Sequence, residues 1–203
     1  MYARIASFEG RDSSLTDQLI KQIRETGPAS VPDAKGFIGL VDRKAGTSLG
    51  ITFFDSEEAI RNSQQAFEDM AKNFPEEMRG RRKSVDIYEV TVFEGDADRA
   101  GAARVSVLDG SPDGIDDSID KVNAETLPKL RNIAGNVGAI GFADRKSGRT
   151  IVITLWESAD AMSDSEKQAD KLREEVAQSG GQRIGQVDRY EVAVAQQLAG
   201  VHA

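Results

Sequence analysis

The chain has no cysteine, one histidine and one tryptophan among 203 residues. Without a thiol, disulfides and thiolate chemistry are excluded, and a cytoplasmic location is the expectation. With His202 as the sole imidazole, second from the end, no His, Asp or Glu positions have metal-site spacing with a histidine component. Its terminal place also argues against catalytic use, and the expectation is neither metal nor cofactor. No apolar run approaches the roughly 20 residues of a membrane span. The opening Met1-Tyr-Ala-Arg-Ile lacks the apolar stretch of a secretion signal. Cations are also short, at 26 Lys and Arg against 34 Asp and Glu, for a net charge of −8. The deficit divides evenly, 14 against 18 in residues 1–100 and 12 against 16 in the rest. Neither half is therefore a basic nucleic-acid module. A phosphate-binding glycine loop and a nucleophile elbow are missing too. Hydrophobic content of 39% with 30% charged residues reads as soluble and globular.

What the chain does have is itself, twice. Gly36-Phe-Ile-Gly-Leu-Val-Asp-Arg-Lys-Ala-Gly46 recurs as Gly138-Ala-Ile-Gly-Phe-Ala-Asp-Arg-Lys-Ser-Gly148. Extended to Ala59 and Ala161, the windows share 11 of 24 residues at an offset of 102, where unrelated sequence would share about one or two. Val85-Asp-Ile-Tyr-Glu-Val90 keeps that offset with Val187-Asp-Arg-Tyr-Glu-Val192. The earlier pair Glu25-Thr-Gly-Pro28 and Glu125-Thr-Leu-Pro128 sits at offset 100, so the second copy carries two extra residues before its glycine. One period of this size means two copies of a small domain rather than a repeat array. The expected division is a first repeat over 1–93, a linker over 94–102, a second repeat over 103–195 and a tail over 196–203.

Each copy has the same plan. Tyr2 to Phe8 and Ala103 to Leu108 read as strands. A helix follows, opened by Ser14 with Asp17 in the first copy and by Ser111-Pro112 in the second. Pro28 and Pro128 interrupt these helices at matching places. Two strands joined by a tight turn come next, Gly36–Asp42 with Thr47–Phe54 and Val137–Asp144 with Arg149–Trp156. In the connection Asp-Arg-Lys-x-Gly, Asp can cap the turn and Gly can take the left-handed conformation. A second helix carries Ile60, Ser63, Phe67, Met70 and Phe74 on one face, or Met162, Ser165, Ala169, Leu172 and Val176. Long strands close the copies, Ser84–Phe93 and Ile184–Ala195. The order β-α-β-β-α-β is the ferredoxin-like split unit. Both alternating sets of strand residues are apolar, as in Phe37 and Val41 against Ile38 and Leu40. Strands buried on both faces imply a second layer, and the expected fold is α+β, two such repeats packed sheet to sheet.

The Pro28…Gly36-Phe-Ile-Gly39 and Pro128…Gly138-Ala-Ile-Gly141 motifs precede the hairpins. Thr154-Leu-Trp156-Glu-Ser158-Ala-Asp-Ala161 follows at the strand-to-helix step, and Tyr-Glu-Val closes each copy. Together they resemble the dimeric α/β-barrel superfamily, most of all its antibiotic-biosynthesis-monooxygenase (ABM) branch. In that family two ferredoxin-like units form a barrel, usually from two chains. The resemblance implies that here one chain supplies both, as a monomeric pseudo-dimer with higher oligomerisation left open. It also implies a small-molecule ligand and, if the protein is an enzyme, cofactor-independent oxygenation of an aromatic or polyketide-like substrate. The alternative is a non-catalytic ligand-binding or stress-associated module. Family members often carry a histidine in the helix after the Trp-x-Ser step, and haem-degrading relatives use it with a first-strand asparagine. Asn62-Ser-Gln-Gln65 and Asp164-Ser-Glu-Lys167 have no histidine, and the first strands offer Ser7 and Val107 or Leu108. The departure from the family's pattern sets the expectation against haem turnover by that route.

Within this reading Trp156 and Tyr190 are the candidate catalytic residues. An indole or phenol donor can hold a substrate anion, and Asp188 stands two residues from Tyr190 on the same strand face. Phe54 and Tyr88 are their counterparts in the first copy and candidate pocket walls, although core packing explains buried aromatics as well. Arg43 and Arg145, in the matched turns, are candidate clamps for an anionic ligand. The basic cluster Arg79-Gly-Arg-Arg-Lys83 has no equivalent in Gly180-Gly-Gln-Arg-Ile184. It reads as a solvated loop face, with an anionic ligand or partner as the other reading.

Overall fold

The protein is described here by a computed structural model, over residues 1–27 and 30–196. Pro28, His202 and the tail from residue 197 lie outside the described residues. The strands and helices run as β1 (Tyr2–Glu9), α1 (Thr16–Thr26), β2 (Gly36–Asp42), β3 (Thr47–Phe54), α2 (Glu57–Asn62), α3 (Gln64–Asn73), α4 (Glu76–Arg79) and β4 (Arg81–Gly95). After a 3-10 turn at Ala97–Arg99 come β5 (Ala102–Asp109), α5 (Ile115–Lys121), α6 (Leu127–Arg131), β6 (Asn136–Asp144), β7 (Arg149–Trp156), α7 (Ala159–Asp164), α8 (Glu166–Ser179) and β8 (Arg183–Gln196). The strands follow the order β1-β3-β2-β8-β5-β7-β6-β4 and close into an antiparallel barrel. The fold class is α+β, as the alternating apolar strands required.

The chain divides into two compact units, Met1–Tyr88 with the strand end from Val192, and Glu89–Glu191. The division falls inside β4 and β8, so each of these strands contributes to both units. In the first unit β3 pairs with β1 and β2, setting Arg4 opposite Thr52 and Gly39 opposite Gly50. In the second, β7 pairs with β5 and β6, setting Arg104 opposite Thr154. The outer part of β4 pairs with β6, Glu89 to Ala143 through Gly95 to Gly138.

The hairpin turns form for the expected reasons. Asp42 Oδ1 accepts from the backbone N–H of Lys44 (2.8 Å) and Ala45 (2.9 Å), and Asp144 Oδ1 from that of Lys146 (2.9 Å). Gly46 and Gly148 take φ of 66° and 78°, which a side chain disfavours. The helix starts differ from expectation. Asp12, rather than Ser14, caps the first turn, because its carboxylate accepts from both the N–H (2.9 Å) and the hydroxyl (2.7 Å) of Ser14. Ser111 does cap the corresponding turn at Pro112–Gly114. Pro128 does not end its helix. A π-helical stretch at Val122–Thr126 joins α5 to α6, and this widening absorbs the missing proline donor. The second helix of each unit is broken at its serine. Ser63 Oγ donates to Pro32 O (2.7 Å) or Ala59 O (2.9 Å), and Ser165 Oγ to Met162 O (2.7 Å), so both side chains compete with the helical ladder.

Apolar helix faces cover the sheets within each unit. Ile20 of α1 packs on Val41, Ala193 and Val194, while Leu19 meets Phe74 and Met78. In the second unit Leu127, Leu130, Met162 and Ala169 gather around Trp156. Each such side chain, fully buried, contributes about 1.5–3 kcal/mol of transfer free energy.

Candidate ligand site

The two units solve the same packing problem with different side chains. In the first, β1, α1, β2, β3 and α3 enclose a cavity of about 480 Å³. Its walls are apolar, with Leu19, Ile20, Ile23, Phe37, Leu40 and Phe74 among them. It stays open because small residues line it where bulk would fill it. Gly39 and Gly50 face each other across the β2–β3 ladder, and Ala71 stands on α3. The corresponding cavity of the second unit is about 80 Å³. There Val152 takes the place of Gly50, and Arg173 that of Ala71. Arg173 reaches across, its Nε donating to Ser106 Oγ (3.0 Å) and its Nη1 to Asp170 (2.8 Å). A volume of 480 Å³ is within the range of small-molecule pockets, and the smaller void has about a sixth of it.

Each unit also buries an arginine at the same place on its first strand, within the shared run Ala-Arg-(Ile or Val) at offset 100. Arg104 is 1% exposed. Its Nη2 donates to Met162 O (2.6 Å), Glu166 Oε2 (2.9 Å) and Ser165 Oγ (3.3 Å), and its guanidinium lies 5.3 Å from the Trp156 ring centre. Glu166 is shared with Arg189. Burial alone would raise the Glu166 pKa, but its bonds to Arg189 and Arg104 outweigh that and hold it below the ordinary value.

Arg4 is 5% exposed and lines the large cavity. Its guanidinium carbon stacks 3.9 Å over the Phe67 ring. Among the described residues it has no carboxylate within ion-pair distance and no hydrogen-bond acceptor. The residue equivalent to Glu166 is Gln64, whose amide donates to Glu68 instead (2.9 Å). Burial, together with the like charge of Arg82, lowers the Arg4 pKa to about 10, so the group remains a cation at neutral pH. This is an unusual arrangement, since buried charges are ordinarily paired.

The basic cluster belongs to the same cavity. It is not a loop. Arg81, Arg82 and Lys83 open β4, which begins directly after the turn at Gly80. Arg79, Arg81 and Arg82 line the cavity together with Glu68 and Glu76. Arg79 donates to Phe74 O (3.0 Å) and Gly80 O (3.1 Å), Arg81 pairs with Glu9, and Arg82 is exposed.

The residues singled out from the sequence lie elsewhere. None of Trp156, Tyr190, Phe54, Tyr88, Arg43 and Arg145 is among the lining residues of either cavity. Trp156 is fully buried, and its indole N–H donates to Thr154 Oγ1 (3.0 Å). Tyr190 is buried opposite Ala103, and Tyr88 is buried on β4. Phe54 packs edge-on against Phe67, ring centres 6.2 Å apart. Arg43 pairs with Asp17 (2.8 Å), while Arg145 pairs with Glu89 and with Asp116 (2.7 Å). The sequence reading missed Arg4 and Arg104. The duplicated Ala-Arg at offset 100 was the available signal, since a charge retained inside an apolar strand of both copies has to be accommodated. Among the described residues no group of His, Cys, Asp and Glu could hold a metal ion, and the cavity lining offers no imidazole, thiolate or phenolate for a haem iron.

Comparison with known proteins places the fold. The uncharacterised protein Rv2557 of Mycobacterium tuberculosis is 25% identical over 201 residues, covering 96% of this chain and 88% of that protein. No protein-family model matches the chain. Among solved structures, an anthrone oxidase-like protein superposes with a TM-score of 0.70 at 14% identity, over 98% of this chain and 96% of its own. A candidate monooxygenase of Fusobacterium nucleatum superposes at 0.66 and 16% identity, over 100% and 96%. A haem-degrading enzyme of Listeria monocytogenes superposes at 0.55 and 12% identity, over 94% and 99%. The chain has the dimeric α/β-barrel fold of ABM-type structures, with the closed barrel supplied by a single chain. At these identities the likeness is one of fold. No helix among the described residues is long and apolar enough to cross a membrane.

Proposed function

We propose that the protein binds a small organic molecule in the cavity of its first unit, and that the second unit is a filled counterpart. The observation that carries this reading is the difference between about 480 Å³ and about 80 Å³ at equivalent places. It traces to Gly50 and Ala71 against Val152 and Arg173. The test is a fluorescence titration with N-phenyl-1-naphthylamine, a neutral apolar probe. Wild type should enhance its emission, and Ala71→Arg should abolish the enhancement. An arginine at 71 can find Glu68 as Arg173 finds Asp170, and so fill the cavity without unfolding the helix. Equal enhancement by wild type, Ala71→Arg and Gly50→Val would place the probe elsewhere and refute the reading.

The finer reading is cofactor-independent oxygenation of an aromatic or polyketide-like substrate, against a non-catalytic binding or stress-associated module. The fold likeness and the buried cation favour the first. A guanidinium in apolar surroundings stabilises an enolate, whose carbon can react with dioxygen. In such a reaction an acidic CH₂ becomes a carbonyl, one oxygen atom enters the product and the other leaves as water. Substrate-dependent oxygen uptake separates the two readings. Trp156→Phe and Tyr190→Phe test whether these side chains serve turnover; unchanged rates would remove them from it.

A further inference from the structure

We infer that the cavity of the first unit takes an amphiphilic carboxylic acid, its carboxylate paired with Arg4 and its apolar body against the helix-facing walls. The inference rests on the cavity being a binding site and adds the ligand's charge and class.

The reasoning starts from the duplicated arginine. In the second unit Arg104 is buried with a carboxylate, Glu166, placed on it by the first residue of α8. In the first unit the first residue of α3 is Gln64, which is neutral and turned to Glu68. The strand position and the serine that opens the helix are retained, while the acid is missing and the aromatic partner is Phe67 of α3 instead of a counterpart of Trp156. A guanidinium this buried keeps one ring contact, and its planar fork matches a carboxylate in two parallel hydrogen bonds. Arg4 itself borders a large, mostly apolar cavity.

Three further observations agree. Arg82 stands near enough to disfavour the charge on Arg4, so the site has an excess of cation. The cluster Arg79, Arg81 and Arg82 occurs only in the copy whose cavity is open, and lines it. In a chain of net charge −8, a cationic patch there would steer an anion to this opening. Glu68 and Glu76 also line the cavity, which favours a singly charged head over a phosphate.

The test compares decanoate with 1-decanol by calorimetry on the full chain near neutral pH, with N-phenyl-1-naphthylamine as the neutral control. Wild type should bind decanoate at least about tenfold more tightly than decanol, one good charge-assisted pair. Arg4→Met should bind both alike. Gln64→Glu, an exposed change that supplies the missing acid, should weaken decanoate about tenfold or more and leave decanol unchanged. Decanoate and decanol binding equally to wild type would overturn the anion while leaving the cavity as a site. An unaltered preference in Gln64→Glu together with Arg4→Met would overturn Arg4 as its partner. If neither decanol nor the neutral probe binds, the site itself is refuted and this inference with it.

Discussion

Replacing Arg4 and Arg104 by methionine should move stability in opposite directions. Arg104 Nη2 holds three acceptors, one of them the carboxylate of Glu166. Arg104→Met strands Met162 O in part and leaves Glu166 to Arg189 alone. Losing these three charge-assisted bonds at a fully buried place, net of the Nε and Nη1 atoms that have no partner, should cost about 2–4 kcal/mol. Arg4 has no such partners. Its burial carries a penalty of several kcal/mol, offset by a desolvated contact with Phe67 of about 2 kcal/mol. Methionine keeps the apolar stem in place and removes the charge, so the ligand-free protein should gain about 1–2 kcal/mol. For a chain of this size each kcal/mol moves Tm by about 2–4 °C. Arg104→Met should therefore melt about 4–16 °C below wild type, and Arg4→Met about 2–8 °C above it. Differential scanning calorimetry, with urea midpoints as a check on cooperativity, reads both. A fall for Arg4→Met comparable to that for Arg104→Met would mean that Arg4 is satisfied within the protein, and would refute the reasoning that its partner is a ligand.

Acid should act through Glu166. Its pKa is lowered in the folded state, so its contribution to stability is present above the ordinary carboxylate range and lost as pH falls through the lowered value. Glu166→Gln should be destabilising at neutral pH by urea titration and nearly neutral at the acidic end; a pH-independent difference would contradict the pairing. Gly148→Ala sets a side chain at φ 78° with its Cβ 2.2 Å from Gly110 O. It should cost about 2–3 kcal/mol or more, and a circular-dichroism melt unchanged from wild type would show that the turn can relax. Ser158 Oγ accepts from Ala161 N–H at 3.1 Å as the cap of α7, so Ser158→Ala should cost about 1 kcal/mol in urea.

The sequence by itself determined the strand pattern, the hairpin turns and the α+β class, for local reasons. An Asp-Arg-Lys-x-Gly connection closes through its own carboxylate and glycine, and β2, β3 and β7 begin and end where the residue pattern does. Apolar residues on both faces of those strands required a closed or layered sheet. Helix breaks at Ser63 and Ser165 and the π stretch before Pro128 were not legible, because each depends on a backbone acceptor or a widened turn that only the folded chain presents. The candidate site was the least legible part. Trp156, Tyr190, Arg43 and Arg145 stand out by rarity or by repetition, yet rarity says nothing about which side chains border a void. Arg4 resembles Arg104 in its place on the first strand, its sequence neighbours and its partner across the ladder. What separates them is Gln64 in place of Glu166, together with Gly50 and Ala71 in place of Val152 and Arg173, residues 40 or more positions away in the chain. Charge compensation and cavity volume are sums over such distant neighbours. Tertiary structure alone decided that one copy would close on itself and the other remain open around an unpaired cation.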